Sequence, residues 1–580
     1  MSLYFRFDFK KHTDQKNAPY LFSNPKKVWQ SDRIEDVIPM LKEVEEANNQ
    51  GLYVAGYLAY EAAAAFDPHF NVNKSVAPLM VFASFESPSQ VDKAKKAPFF
   101  LHPWQISEDI SRYEQKIARI KEAIRQGDTY QVNYTIRLFT KFFGDPYSYY
   151  LALRDKQQGN YSAYLQYNDE HILSLSPELF FKVNNQHITT KPMKGTSKRG
   201  TTPETDEMNK SHLTSSEKER AENMMIVDLL RNDLGQLATK GSVHVSKLLS
   251  VETYPTVHQM TSTIEAEVPE DSGLVDWFKA LFPCGSITGA PKIKTMDYIK
   301  SLEDTPRGVY CGAIGYVTPK KEAIFNVPIR TVSIDASTNQ AIYGVGGGIT
   351  WDSIGSEEFQ EVHTKAKVLD IPLPMFDLLE SLRLSNGTFI RYDQHIRRLT
   401  QAAKTFQFIL EESQLRDMKI KLTKQYPKGE YKVRLLLAKD GLLSAEVIQI
   451  NELQAPIYCY LAKQPISSKH LFSCYKTTQR SHYDALAVKK SDNFSTLLYN
   501  ERGEVTEFAI GNVVIEKKGK RYTPPLSVGC LPGIYRNMLI DNKQVEEKRL
   551  TINDVISADA VFLTNSVRGM IEVKIMFAHS

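Results

Sequence analysis

The chain has 580 residues, 42% of them apolar and 11% aromatic, ample for several packed cores of domain size. Its 72 Lys and Arg against 68 Asp and Glu leave a net charge of +4, spread throughout, which argues only weakly for nucleic-acid binding. Five scattered cysteines without C-x-x-C spacing argue against a disulfide framework and a thiolate zinc site. The start, MSLYFRFDFKKHTD, lacks the apolar core of a signal peptide, and no run approaches the ~20 apolar residues that span a bilayer. A soluble, cytoplasmic protein with no membrane partner is expected.

Up to about residue 100, GLYVAGYLAYEAAAAFDP reads as strand then helix, with Glu61 packing rather than reacting, and PLMVFASF as a buried strand. The charged run at 92–96 marks an internal boundary. From 108 the pattern turns to mixed α/β. ISRYEQKIARIKEAIRQGD predicts an amphipathic helix ended at Gly127, TYQVNYTIRLFTKFF a strand, and HILSLSPELFFKV with HITTKPMKGT two strands around NNQ. A large mixed sheet with helices is expected to about 370. Within it, EKERAENMMIVDLLRND predicts a buried helix with Glu219 and Glu222 on one face, and SEEFQEVHTKAK repeats the spacing with Glu358 and Glu361. Either pair alone is an ordinary solvated face. Together they would make an all-carboxylate site for a hard, oxygen-loving ion such as Mg2+. Pro372 and Pro374 end this part. DLLESLRLSNGTFIRYDQHIRRLTQAAKTF then predicts strand, Asn-Gly turn, strand and helix, and strand-rich sequence follows. The expected divisions are 1–100, 101–370 and 371–580.

SPELFFKV, KPMKGT, AENMMIVDLLRNDLG, PCGSITGAPKIKTMDYI, CGAIGYV, FNVPIRTV and YGVGGGITWDS follow one another in that order. Together they make the first 370 residues resemble the chorismate-utilising enzymes, which include anthranilate, isochorismate and aminodeoxychorismate synthases. The resemblance implies an α/β and α+β chain that begins with their large mixed-sheet chorismate-binding fold. Aminodeoxychorismate synthases carry Lys in a P-I-K-G-T block where anthranilate synthases carry Ala; here the block is Pro192-Met193-Lys194-Gly195-Thr196. The resemblance makes Lys194 the amine that adds to the chorismate ring as the C4 hydroxyl leaves, and Glu178 the general acid. It assigns Glu222 and Glu361 to Mg2+, with Glu219 and Glu358 behind them. Substrate contacts fall to Arg330, Tyr316, Thr288 and the backbone of Gly346, Gly347 and Gly348. Anthranilate synthases place a His where this chain has Gln259; His258, one residue earlier, would face the other way on a strand, as a core or hydrogen-bonded His at least as readily as a catalytic one.

The remaining chain resembles the fold-type IV, or class IV aminotransferase, family, which includes aminodeoxychorismate lyases. YKTTQRSHYDAL supplies Lys476, matching the lysine that anchors pyridoxal 5'-phosphate, and GEVTEFAIGNVVI supplies Glu507, matching the carboxylate facing the pyridine nitrogen. The phosphate maps onto Arg398, the backbone N–H groups of Ile534 and Tyr535, and Ser566. The two resemblances imply a fusion that aminates chorismate to 4-amino-4-deoxychorismate and then eliminates pyruvate to give p-aminobenzoate. Ammonia would come from a separate glutamine amidotransferase subunit, and a homodimer through the second half is a further expectation. The rivals are an anthranilate or isochorismate synthase fused to a D-amino-acid or branched-chain transaminase, and a sensor that binds chorismate or pyridoxal phosphate without turnover. Binding of nucleic acid through the basic run KPMKGTSKR ranks behind both.

Overall fold

The computed structural model describes the chain except residues 1–2, 11–18, 76, 90–96, 158, 200–202, 254–256, 372–374, 469 and 578–580. The charged run at 92–96 and the prolines at 372 and 374 thus lie outside the described residues. Two compact units emerge. One is built from Met1–Lys95, Pro103–Phe142 and Pro146–Pro372, the other from Lys96–His102, Phe143–Asp145 and Leu373–Ser580.

In the first unit the strands expected as one mixed sheet form two, and every pairing described within them is antiparallel. The reason is local. Pro177 breaks HILSLSPELFFKV into Glu170–Ser176, which joins one sheet, and Leu179–Asn184, which joins the other. Pro192 likewise separates His187–Lys191 from Met193–Lys198. The inner faces meet over an aromatic core in which Phe5, Phe7 and Phe22 from one sheet pack with Tyr57, Phe85 and Tyr316 from the other. The outer face of the second sheet, with Phe82, Phe180, Phe181 and Phe325, is covered by three helices: Ile34–Asn49, Glu217–Gly235 and Leu274–Leu281.

The Ile110–Arg125 helix forms as expected, capped by the Asp109 side chain and followed by Gly127 at φ +79°. The Ala-rich stretch instead makes a six-residue 3₁₀ turn, Tyr60–Ala65. Glu61 pins it: buried, its carboxylate accepts the N–H groups of Arg307 and Gly308 at 2.6 and 3.0 Å.

In the second unit, Leu378–Ser385, the turn at Asn386-Gly387, Thr388–Ile390 and the Tyr392–Phe406 helix follow the sequence reading. The helix packs Leu399, Ala402 and Phe406 onto a four-stranded sheet. Two further sheets share a core of Leu497, Phe508, Val513, Ile515 and Leu563. The five cysteines are unpaired. Among the described residues, no helix is long and apolar enough to cross a membrane.

Candidate active sites

In the first unit, Lys194 lies on Met193–Lys198, beside the Glu217–Gly235 helix. Ser216 caps that helix, accepting the N–H of Glu219, and the buried Ile226, Val227 and Leu230 fix its rotation. Glu219 and Glu222 therefore face the strand. The Gly355–Ala366 helix brings Glu358 and Glu361. Glycines make the approach close. A Cβ on Gly195, at φ +82°, would lie 2.7 Å from Glu219 Oε2; one on Gly347 would lie 3.5 Å from Glu358 Oε2; one on Gly348 would lie 2.8 Å from Lys194 Nζ. Gly344 to Gly348 run as strand, paired with Gln131–Gly144, so the expected row of free backbone donors is partly a ladder. The glycines mainly clear space for side chains.

Glu178 sits just after Pro177, where the chain crosses between sheets. Burial pushes its carboxyl up to about 7, against the hydrogen bond from Ser286 and the charge of Lys194. The Ser286 hydroxyl donates to Glu178 Oε1 at 2.7 Å. Burial raises Glu219, Glu222 and Glu358 above the usual carboxylate range, with neighbouring glutamates adding to the effect. Burial opposes ionisation of Glu361 too, but Lys365, bound at 2.8 Å, holds it below that range. The Lys194 charge is felt by Glu178, Glu219, Glu222 and Glu361 alike, and its amine forms no hydrogen bond or ion pair among the described residues. An all-oxygen set in which three of the four carboxyls resist ionisation fits a hard divalent cation. The side chains are not drawn into a coordination shell: Glu361 pairs with Lys365, Glu358 accepts from Ser353 at 2.7 Å, and no three potential ligands converge among the described residues.

Not every expected contact joins this group. Tyr316 is buried in the aromatic core, its ring 5.3 Å from Phe7, 5.8 Å from Phe9 and 5.1 Å from Tyr20, so it packs the two sheets together instead of facing the carboxylates. Thr288 is fully buried, and its hydroxyl lies 3.1 and 3.2 Å from the Cys284 and Gly285 carbonyls within its own turn. Arg330, at φ +52°, stands near Tyr343, whose hydroxyl it pulls down against the burial that sets it at about 12. His258 is buried and hydrogen-bonded through both nitrogens, to Thr253 Oγ1 and Asp206 Oδ1 at 3.0 Å each. Gln259 instead donates to the Gly195 carbonyl at 2.7 Å, steadying the residue after Lys194.

The sequence reading missed Gln131. It is wholly buried, neither amide atom has a partner among the described residues, and its Nε2 lies 1.9 Å from where a Gly348 Cβ would stand, on the Lys194 side. A buried amide without partners costs roughly 1–3 kcal/mol. Its position inside an apolar strand pattern gave no signal.

In the second unit, Lys476, Glu507, Arg398, Ile534, Tyr535 and Ser566 line one cavity of about 310 Å³. Burial lowers the Lys476 ammonium to about 8, with Arg398 adding to the effect and Glu380 opposing it. Burial raises Glu507 to about 7, although Tyr483 donates to it at 2.7 Å and the Leu531 N–H at 3.2 Å. A buried carboxylate held this way fits a protonated ring nitrogen as partner. Arg398 is already engaged. Its Nε and Nη2 bind Glu380 at 2.8 and 2.7 Å, and its Nη1 donates to the Pro532 carbonyl at 2.9 Å. Burial works against the Glu380 charge, yet Arg398 and His395 hold it down at about 2. Ile534 and Tyr535 open the Ile534–Asp541 helix after Gly533, so their N–H groups are among its unsatisfied donors. These residues fit a phosphate-bearing cofactor with an aldehyde for Lys476 and a ring nitrogen for Glu507.

The chorismate binding enzyme family matches residues 80–370, and amino-transferase class IV matches 377–576. Aminodeoxychorismate synthase component 1 of Salmonella typhimurium is 40% identical over 279 residues, 48% of this chain and 61% of that protein. Its Escherichia coli counterpart is 41% identical over 262 residues, 45% of this chain and 57% of that one. The matched part thus spans about three fifths of these relatives. Anthranilate synthase component I from Streptococcus pneumoniae superposes with a TM-score of 0.51 at 25% identity, covering 64% of this chain and 92% of that structure. Half of the chain carries the first of these family patterns and a further third the second, so it belongs to the chorismate binding enzymes and bears an amino-transferase class IV domain behind them.

Proposed function

We propose that the chain converts chorismate to p-aminobenzoate in two steps, for folate synthesis. The observation that carries this reading is the amine of Lys194, placed among the acid Glu178 and the four glutamates of two helices. Lys194 adds to the ring while Glu178 protonates the departing C4 hydroxyl; ammonia then adds at C4 and expels the lysine, giving 4-amino-4-deoxychorismate. Glu222 and Glu361, backed by Glu219 and Glu358, would hold Mg2+ and so supply positive charge for a substrate carboxylate, and Arg330 would grip another. The likeness to proteins named aminodeoxychorismate synthase component 1 supports amination over ring elimination. Ammonia would come from a separate glutaminase subunit.

In the second unit, pyridoxal 5'-phosphate would supply an electron sink for the C4 carbanion. Lys476 would anchor it and, once displaced by the substrate amine, take the C4 proton as the enolpyruvyl group leaves as pyruvate. Glu507 would hold the ring nitrogen protonated; Arg398, Ser566 and the N–H groups of Ile534 and Tyr535 would hold the phosphate. A homodimer through this unit belongs to the same reading. Unpaired, scattered cysteines suit a cytoplasmic setting.

The deciding experiment incubates the purified chain with chorismate, ammonium, Mg2+ and pyridoxal phosphate. Equal amounts of p-aminobenzoate and pyruvate are expected; anthranilate or isochorismate as product overturns the reading. A second expectation concerns pH. Glu178 donates only while protonated, and its carboxyl titrates at about 7. At constant free ammonia, and with the pH response of the attacking amine divided out, amination should therefore fall up to tenfold per unit as pH rises beyond that point. Glu178→Gln should abolish this limb and slow the step by about 10²–10⁴. An unchanged alkaline limb in the variant would assign the acid elsewhere.

A further inference from the structure

The cavity around Lys476 and Glu507 carries more positive charge than a cofactor phosphate needs. Besides Arg398, it is lined by Lys432, Arg434, Arg480 and Arg568. Lys432 and Arg434 stand two apart on Glu430–Leu437, alternating with the buried Val433 and Leu435, so the strand turns both to the same side. Arg480 follows Lys476 by four residues; its guanidinium donates to the Ala509 carbonyl at 2.5 Å and stacks 4.8 Å over Tyr483, the residue that holds Glu507. Arg568 lies two residues after Ser566 and donates to the Asn451 carbonyl at 2.9 Å.

Little opposes these charges. Arg434 pairs with Glu446 at 2.6 Å, while Arg480 and Arg568 lean on neutral carbonyls. The Lys432 amine makes no hydrogen bond or ion pair among the described residues. After burial, the charges of Arg434, Arg480 and Arg568 press its proton off, and Glu446 is the carboxylate that pulls the other way. Four cations line the cavity, against the Glu507 carboxylate, which feels Arg480, and Glu446, which is paired with Arg434. Repulsion among clustered like charges is relieved by an anion of more than one charge.

We propose that Lys432, Arg434, Arg480 and Arg568 form an anion subsite beside Lys476 that selects a cyclic amine bearing two carboxylates over an ordinary monocarboxylate amino acid. This rests on the reading of Lys476 as the cofactor lysine, and it favours elimination from a dianionic ring over transamination. Each cation would meet a carboxylate oxygen in a charge-assisted hydrogen bond, worth roughly tenfold in affinity. Phosphate binding at Arg398 and the Ile534–Asp541 helix would stay separate.

The test loads the full chain with pyridoxal phosphate and titrates isophthalate against benzoate, following the absorbance of the lysine-bound cofactor. Isophthalate is expected to bind at least tenfold tighter. Lys432→Met and Arg568→Gln should each weaken isophthalate about tenfold and benzoate less than threefold, with the cofactor band unchanged. In turnover they should raise KM for 4-amino-4-deoxychorismate more than they lower kcat. Equal binding of the two acids, or variants that leave isophthalate untouched, overturns the subsite. A chain that takes up no cofactor at all fails visibly earlier, at the missing band, and removes the reading of Lys476 together with the proposal.

Discussion

Lys194→Ala should stop formation of 4-amino-4-deoxychorismate, with the rate down by 10³ or more, on the order seen when a covalent nucleophile is removed. The loss should be larger than a removed binding contact explains, because the proposed role of the amine is to attack the ring and, among the described residues, no second lysine is positioned to replace it. Lys218 and Lys365 are felt by the glutamates, but Lys365 is tied to Glu361 and to the Gly346 carbonyl at 2.8 Å each. Lys218 is exposed on the helix that carries Glu219. Lys194 is also a charge that pulls Glu178 down, so its removal should carry that carboxyl above about 7. The glutamate face, left without it, should be less willing to ionise and more responsive to added Mg2+. The same variant should consume supplied 4-amino-4-deoxychorismate at the unaltered rate. Mass spectrometry of products, with circular dichroism to show an intact fold, decides the matter. Residual amination within tenfold of the parent would mean that ammonia attacks the ring directly and that Lys194 only balances charge.

The parts legible in sequence are those whose signal is local. The Glu217–Gly235 helix announces itself through its apolar spacing and a Ser cap, and once the helix is fixed the positions three apart must share a face. Asn386-Gly387 likewise specifies its hairpin through residues that tolerate positive φ, here +44° and +74°. What escaped is set by partners far along the chain. Pro177 sends two halves of one apparent strand into different sheets, and only the sheets reveal that. Tyr316 lies within a recognisable motif, yet the strand alternation that turns Gly315 one way turns its ring into the Phe7 and Phe9 core. Gln131 sits in a strand whose other residues are mostly buried, so nothing in the pattern marks its amide as unpartnered. The cationic wall gathers residues from 432 to 568, a juxtaposition without any spacing to read.

Lys476→Ala should have the converse effect: chorismate is aminated, 4-amino-4-deoxychorismate accumulates, and release of p-aminobenzoate and pyruvate falls by 10³ or more. Two roles vanish together. The amine that would bond the cofactor aldehyde is gone, and so is the proposed base for the C4 proton. The residues proposed to hold the phosphate are untouched, so pyridoxal phosphate should still bind but become removable by dialysis, with the absorbance of a free aldehyde. Lys476 also stabilises the Glu507 carboxylate across the cavity, so the variant should push that carboxyl above about 7. Without the ring nitrogen to meet it, Glu507 then stays protonated through neutral pH. In the parent chain the amine attacks only when neutral. Burial, with help from Arg398, brings that state within reach at about 8. Cofactor capture by the cofactor-free chain should therefore accelerate up to tenfold per unit as pH rises towards 8 and level off above it. A rate flat across that range, or pyruvate release undiminished in Lys476→Ala, would show that another group takes the proton, and would break the link between this lysine and the elimination.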